Sequence, residues 1–210
     1  MAFDIEALGC ARHSDGDAAC GGKAFGSAAG PARLVNAATY AATERLRNGA
    51  TLHIRALRPP DRAAMLAAFG RLGKEAVYRR FFGPKHGFSE SEIHYFLDVD
   101  FVDHVALAAV LSEGGRETIV GGARYIVSRP GCAELAFAID DPHQGQGIAT
   151  HLIRHLTGVA RAAGLRDFNA EVLAENMPML KVFTRCGLAM TTRRERDIVH
   201  VTLALGQCSG

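Results

Sequence analysis

Apolar and polar positions change period several times along this chain, and each change marks an element. Apolar residues recur at Ile148, Leu152, Leu156, Val159 and Ala163, the spacing of one helical face. Gly164 follows where a left-handed residue ends a helix. A second helix is expected within residues 176–187, with Asn176 as N-cap, Pro178 in its first turn and Gly187 as its stop. Upstream, residues 51–57 read as a strand and 61–72 as a helix with Leu66, Phe69 and Leu72 on one side. Residues 75–82 and 90–97 read as further helices, Ser89 capping the latter. Residues 104–111 and 118–127 form a hairpin around the turn at 112–115, and 133–139, 168–173, 189–194 and 198–205 read as strands. The order predicts an α/β (α+β) fold: a mixed central sheet with helices on both faces.

Composition narrows the class. With 210 residues, 48% hydrophobic and 22% charged, the chain makes one globular domain with a real core. A net charge of +2 gives no argument for nucleic acid or membrane as partner. No apolar run reaches a membrane span, and Asp4 and Glu6 break the pattern of a secretory signal. The five cysteines, Cys10, Cys20, Cys132, Cys186 and Cys208, have no metal-binding spacing, so no metal is expected and reduced thiols in a cytoplasm are the plain reading. Residues 1–49 are rich in small residues and read as a flexible extension, with room for a short helix over 37–47. Residues 50–206 form the folded domain and 207–210 a tail. Either a monomer or a homodimer fits.

The chemistry concentrates after residue 133. A strand runs through Glu134 to Ile139, and a glycine-punctuated loop then opens the helix at Ile148. Such a loop presents unpaired N–H groups at a positive helix end, an anion site suited to phosphate or pyrophosphate. It is not a P-loop, because no Lys follows the second Gly, and not a dinucleotide fingerprint, because Thr150 stands where the third Gly belongs. Strand alternation puts Leu135, Phe137 and Ile139 on one face and Glu134, Ala136 and Ala138 on the other. A carboxylate beside two alanines leaves room for a substrate.

Gln144-Gly145-Gln146-Gly147-Ile148-Ala149 fits Q/R-x-x-G-x-G/A, and Asn176, Gly187 and Leu188 keep the frame of a second block, N-x-x-A-x-x-x-Y-x-x-x-G-F. Over roughly residues 50–205 the chain resembles the GNAT family of N-acetyltransferases. Within it, residues 119–125, 133–137 and 171–180 look like the acetyltransferase domain of bacterial protein lysine acetyltransferases (Pat type), which modify acyl-CoA synthetases. The stretches 57–61 and 76–82 look like that group as well. The resemblance implies a GNAT fold, acetyl-CoA as cosubstrate, and a primary amine as acceptor. The favoured acceptor is a lysine on a protein such as an acyl-CoA synthetase. It puts Glu134 where those enzymes carry a catalytic glutamate that takes the amine's proton, directly or through water. It puts the pyrophosphate on the backbone of Gln144, Gly145, Gln146, Gly147, Ile148 and Ala149, the pantetheine arm along Phe137 and Ile139, and a polar cofactor contact at Asn176, which the residue pattern alone reads as a cap. One departure stands out: Phe183 occupies the position where many members carry a Tyr that protonates the leaving thiolate, so no general acid is assigned. A small-molecule amine acceptor, a catalytically silent acetyl-CoA sensor and a nucleotide-binding regulatory domain remain as alternatives.

Other constellations are weaker. His151 and His155 stand four apart as in zinc helices, but the required Glu after the first His is Leu152, so solvated histidines are expected. His143 reads as a surface turn, and the run Arg193–Arg196 as a solvated edge. Arg79 and Arg80 are candidates to face the acceptor.

Overall fold

A computed structural model of the chain describes residues 36–113 and 115–206. Eight strands form one sheet: β1 (Ala41–Arg45), β2 (Thr51–Ala56), β3 (His104–Glu113), β4 (Arg116–Arg129), β5 (Cys132–Ile139), β6 (Asp167–Leu173), β7 (Ala189–Glu195) and β8 (Ile198–Ala204). Their order is β1-β2-β3-β4-β5-β6-β8-β7. Every neighbouring pair is antiparallel except β5 and β6, which run parallel, so the sheet is mixed as expected. Five helices cover it: α1 (Arg62–Gly70), α2 (Lys74–Phe81), α3 (Glu90–Leu97), α4 (Ile148–Ala162) and α5 (Met177–Arg185).

Strand alternation sorts the core into two layers. On β3, Val105, Leu107, Ala109 and Leu111 join Ile148, Leu152, Leu156 and Val159 of α4 and Phe183 of α5 in the main core. Ala106, Ala108 and Val110 point the other way and pack with Ala68 and Met65 of α1 and Leu97 of α3. The α4 helix is stopped as its sequence demands. Gly164 takes φ +79°, Leu165 N donates to Ala160 O and Gly164 N to Arg161 O, closing the end with left-handed geometry. Ser89 caps α3 through a box with Glu92.

The register slips between Ala109 and Val110 of β3, where β4 carries Val120 as the additional residue. Gly121 lies at this bulge, and a Cβ there would sit 2.6 Å from Ala138 O, so only glycine lets β4 close onto β5.

The expected short helix over 37–47 is corrected: Ala37–Thr39 is a single 3-10 turn, and Ala41–Arg45 is an edge strand paired with β2. The sheet therefore begins ahead of the boundary expected at residue 50. The rest of the expected flexible extension, residues 1–35, and the expected tail, 207–210, lie outside the described residues.

Candidate active site

Strands β5 and β6 pair over only three positions, Cys132 with Asp167, Ala133 with Phe168 and Glu134 with Asn169. Beyond Glu134 they part. The edge of β5 that faces β6 then has backbone groups without a strand partner, and a cleft of about 560 Å³ opens in the gap. Leu135 to Ile139 of β5 and Ala170 to Val172 of β6 line it, with Phe137 and Phe183 6.0 Å apart between ring centres.

The loop after β5 closes one end of this cleft. It is pinned at its base by buried Asp140, which accepts from Arg71 Nε at 2.6 Å and bonds His143 Nδ1 at 2.5 Å. Gln144 Nε2 donates to Ile139 O at 3.2 Å, holding the loop over the strand end. Gly145 and Gly147 adopt φ +75° and +87°, and α4 starts at Ile148. The first turn closes through Thr150 N and His151 N, both donating to Gly147 O. The amides of Gly145, Gln146, Gly147, Ile148 and Ala149 have no acceptor among the described residues. Five consecutive free donors at a positive helix end make an anion cradle. The side chains around the cleft agree in sign. Among the described residues, Arg47, Arg79, Arg80, Lys181 and Arg185 line it, against Glu171 as the one carboxylate.

Of the residues expected to bind the cofactor, Phe137, Ile139, Gln144, Gly145, Gly147, Ile148, Ala149 and Asn176 all line this cleft. The Gln146 side chain is instead turned away: its Nε2 donates to Pro142 O and its Oε1 accepts from Asn48 Nδ2. Asn176 caps α5, its Oδ1 accepting from Met179 N at 3.2 Å, while its amide nitrogen bonds no described residue.

Glu134 lies in a second pocket, of about 270 Å³, beneath α2 and α3 on the other face of the sheet. The two spaces meet at Arg80, Phe82 and Ala136, which line both. Burial raises the carboxyl pKa of Glu134 above its ordinary value, and the charge of Glu171 adds to the rise. The chain's four tyrosines are Tyr40, Tyr78, Tyr95 and Tyr125, and Tyr95 is the one that lines either space.

Two groups escaped sequence reasoning. The turn between β1 and β2 brings Arg47 to the cleft and Asn48 to Gln146, although the sequence reads these residues as part of the flexible extension. The strand before that turn is latched to α4. Glu44 accepts from Arg154 at 2.5 Å and from His155 Nε2 at 2.8 Å, with His151 Nδ1 at 3.4 Å, and Tyr40 Oη lies 2.5 Å from His155 Nδ1. The two histidines are thus packed against the added strand rather than solvated. Among the described residues, no group of three or more His, Cys, Asp or Glu is arranged to hold a metal ion. No described helix is long and apolar enough to cross a membrane.

Comparison with known proteins agrees with this geometry. Residues 75–188 match the acetyltransferase (GNAT) family. The acetyltransferase Pat of Mycolicibacterium smegmatis is 31% identical over 159 residues, which cover 74% of this chain and 46% of that protein. The chain thus spans about half the length of that relative. An acetyltransferase of Pseudomonas aeruginosa is 32% identical over 155 residues, covering 73% of this chain and 82% of the relative. The crystal structure of the GNAT domain of S. lividans PAT superposes with a TM-score of 0.71 at 34% identity, over 78% of this chain and 96% of that domain.

Proposed function

The chain belongs to the acetyltransferase (GNAT) family, and on that premise we propose that it transfers acetyl from acetyl-CoA to the side-chain amine of a protein lysine, with Glu134 as general base. The observation that carries this reading is the junction of the two spaces at Ala136. A cationic cleft ending in free helix amides adjoins, through the parted strands, a pocket holding a carboxylate of raised pKa.

The parts follow from the chemistry. The pyrophosphate takes the amides of residues 145–149, and Arg47, Lys181 and Arg185 supply charge for the remaining phosphate. The pantetheine arm adds as a strand along the free edge of β5 at Phe137 and Ile139, which directs the thioester toward Ala136. Asn176 offers its amide nitrogen to the same arm. Glu134 accepts a proton from the ammonium, directly or through a water. The neutral amine attacks the thioester carbonyl, the carbon–sulfur bond breaks, CoA leaves as the thiolate, and the proton still carried by the attacking nitrogen passes to solvent and from there to the thiolate. Phe183 has no proton to give, and the thiolate leaves without a dedicated acid, since it is a far weaker base than an amine anion and so the better leaving group. Much of the rate then comes from positioning. Resemblance to bacterial protein lysine acetyltransferases favours lysine over a metabolite amine. It also favours an acyl-CoA synthetase as the protein that carries the lysine. The odd number and scattered spacing of the five cysteines support a cytoplasmic setting.

Labelled acetyl-CoA incubated with a lysate of the native host tests this reading. Label in the protein fraction, dependent on Glu134, is the expected result. Label confined to small molecules would move the acceptor to a metabolite. Acetyl-CoA binding without label in either fraction would make the chain a sensor.

Arg47 gives a narrower check. The Arg47→Ala variant is expected to raise KM for acetyl-CoA about three- to tenfold, the range for one partly exposed charge-assisted phosphate contact, with kcat unchanged. S-acetyl-pantetheine, which lacks every phosphate, should show no difference between the two proteins.

A further inference from the structure

A third space, a cavity of about 110 Å³, lies between the sheet and α1. Strand register makes its floor. Ala108 of β3 stands opposite Gly122 of β4, and Gly122 opposite Ala138 of β5. The neighbouring row is Ala106, Arg124 and Ala136. Residues opposed in this way share one face of the sheet. The first row carries nothing larger than a methyl group, so its side chains stop short of the helices and leave a trough. Three rings cover that trough. Phe69 of α1, Phe81 of α2 and Phe88, just ahead of α3, pack on one another with ring centres 4.2 to 5.9 Å apart.

Among the described residues, the charged groups in the wall have partners of their own. Arg124 lies 2.9 Å from His104 Nε2 and sits over the Phe96 ring at 4.5 Å. Asp140 is held by Arg71 and His143. Arg80 lies over the Phe81 ring at 5.0 Å. What is left to meet a ligand is methyl groups and aromatic rings, and an apolar cavity of this kind takes an apolar occupant.

Position says which occupant. Leu72, Arg80, Ala136, Phe137 and Ala138 line both this cavity and the cleft. The pantetheine arm along β5 delivers its thioester at Ala136, so whatever the carbonyl carries meets the cavity. An acetyl group brings a single methyl there. An apolar cavity of about 150 Å³ holds benzene. By that measure about 110 Å³ has room for roughly four carbons. We propose that this cavity is an acyl pocket, and that the protein takes propionyl-CoA and butyryl-CoA as well as acetyl-CoA, transferring the longer acyl group to the same amine. This rests on pantetheine lying along β5. The step keeps its balance: the amide bond forms, the carbon–sulfur bond breaks, CoA leaves as the thiolate, and the nitrogen's proton reaches it through solvent.

Calorimetry with the whole chain tests the pocket without needing the acceptor. Acetyl-, propionyl-, butyryl- and octanoyl-CoA are titrated in turn. Kd is expected to fall about fourfold from acetyl to propionyl and about fourfold again to butyryl, the effect of burying one methylene each time. Octanoyl-CoA, too long for the cavity, should bind no more tightly than butyryl-CoA. Ala68→Leu, which fills the cavity from α1, should raise the ratio of butyryl to acetyl Kd at least about tenfold. Ala108→Val, from the floor, repeats the test should the first variant misfold. In a lysate of the native host given equal butyryl- and acetyl-CoA, mass spectrometry should find both acyl groups on the same amines. A Kd that is equal across the three short acyl groups, or that rises with their length, would overturn the pocket. Failure of the transferase reading looks different: no acyl group, acetyl included, would then reach any amine.

Discussion

Replacing Glu134 with Gln is expected to lower kcat for acetyl transfer about a hundred- to a thousandfold while leaving KM for acetyl-CoA within about twofold, because general-base catalysis contributes on that order. The substitution keeps shape and hydrogen-bonding capacity and removes the basic oxygen. Its effect is confined to the chemical step because Glu134 lies in the pocket beneath α2 and α3, while the cleft with the free amides is on the far side of Ala136. Stopped assays of CoA release, with binding measured separately, check both halves. Full turnover in the variant would remove Glu134 from the base role.

The pH profile adds a sign that a structural role would not produce. A base must be ionised, so kcat/KM climbs as pH rises through the carboxyl's titration. Burial and Glu171 place that midpoint above the ordinary carboxylate value. Glu134→Gln should abolish this limb. Glu171→Gln should slide it to lower pH without abolishing it, since only the smaller of the two causes is removed.

Much of the fold was legible because its elements announce themselves locally. The apolar stripe of α4, the Asn176 cap, the Ser89 box and the glycines at 147, 164 and 187 are all short-range signals, and each element lies where they put it. The strand Ala41–Arg45 was not legible. Its alternation is between exposed and half-buried positions, and its alanines do not favour a strand. What makes it a strand is distant. It pairs with β2, and Glu44 and Tyr40 meet His155 of α4, more than a hundred positions along the chain. The site divides in the same way. The glycine loop and Glu134 stand out in the sequence because one short segment carries both. Arg124 and Tyr95 reach the pocket, and Arg47 the cleft, only through strand register and helix packing, which no short window records.

The second large effect is expected at Gly147. Its φ of +87° is a conformation that β-branched residues scarcely adopt, and it sets the start of α4. A Cβ built there meets nothing within 4 Å, so the protein itself leaves the space open. That space adjoins the amides of residues 145–149, where the pyrophosphate has to come close. A valine at 147 therefore acts twice. It strains the backbone by about 1–2 kcal/mol, which should lower Tm by about 2–8 °C for a domain of this size. It also fills the approach to the amides, and loss of one or two charge-assisted hydrogen bonds should raise KM for acetyl-CoA about a hundredfold. The two consequences separate experimentally. The melting shift appears without ligand, whereas the KM effect should vanish with S-acetyl-pantetheine, which has no pyrophosphate to exclude. A Gly147→Val protein that melts lower yet binds acetyl-CoA as tightly as wild type would mean that the phosphates lie elsewhere along the cationic cleft, nearer Lys181 and Arg185 than the start of α4.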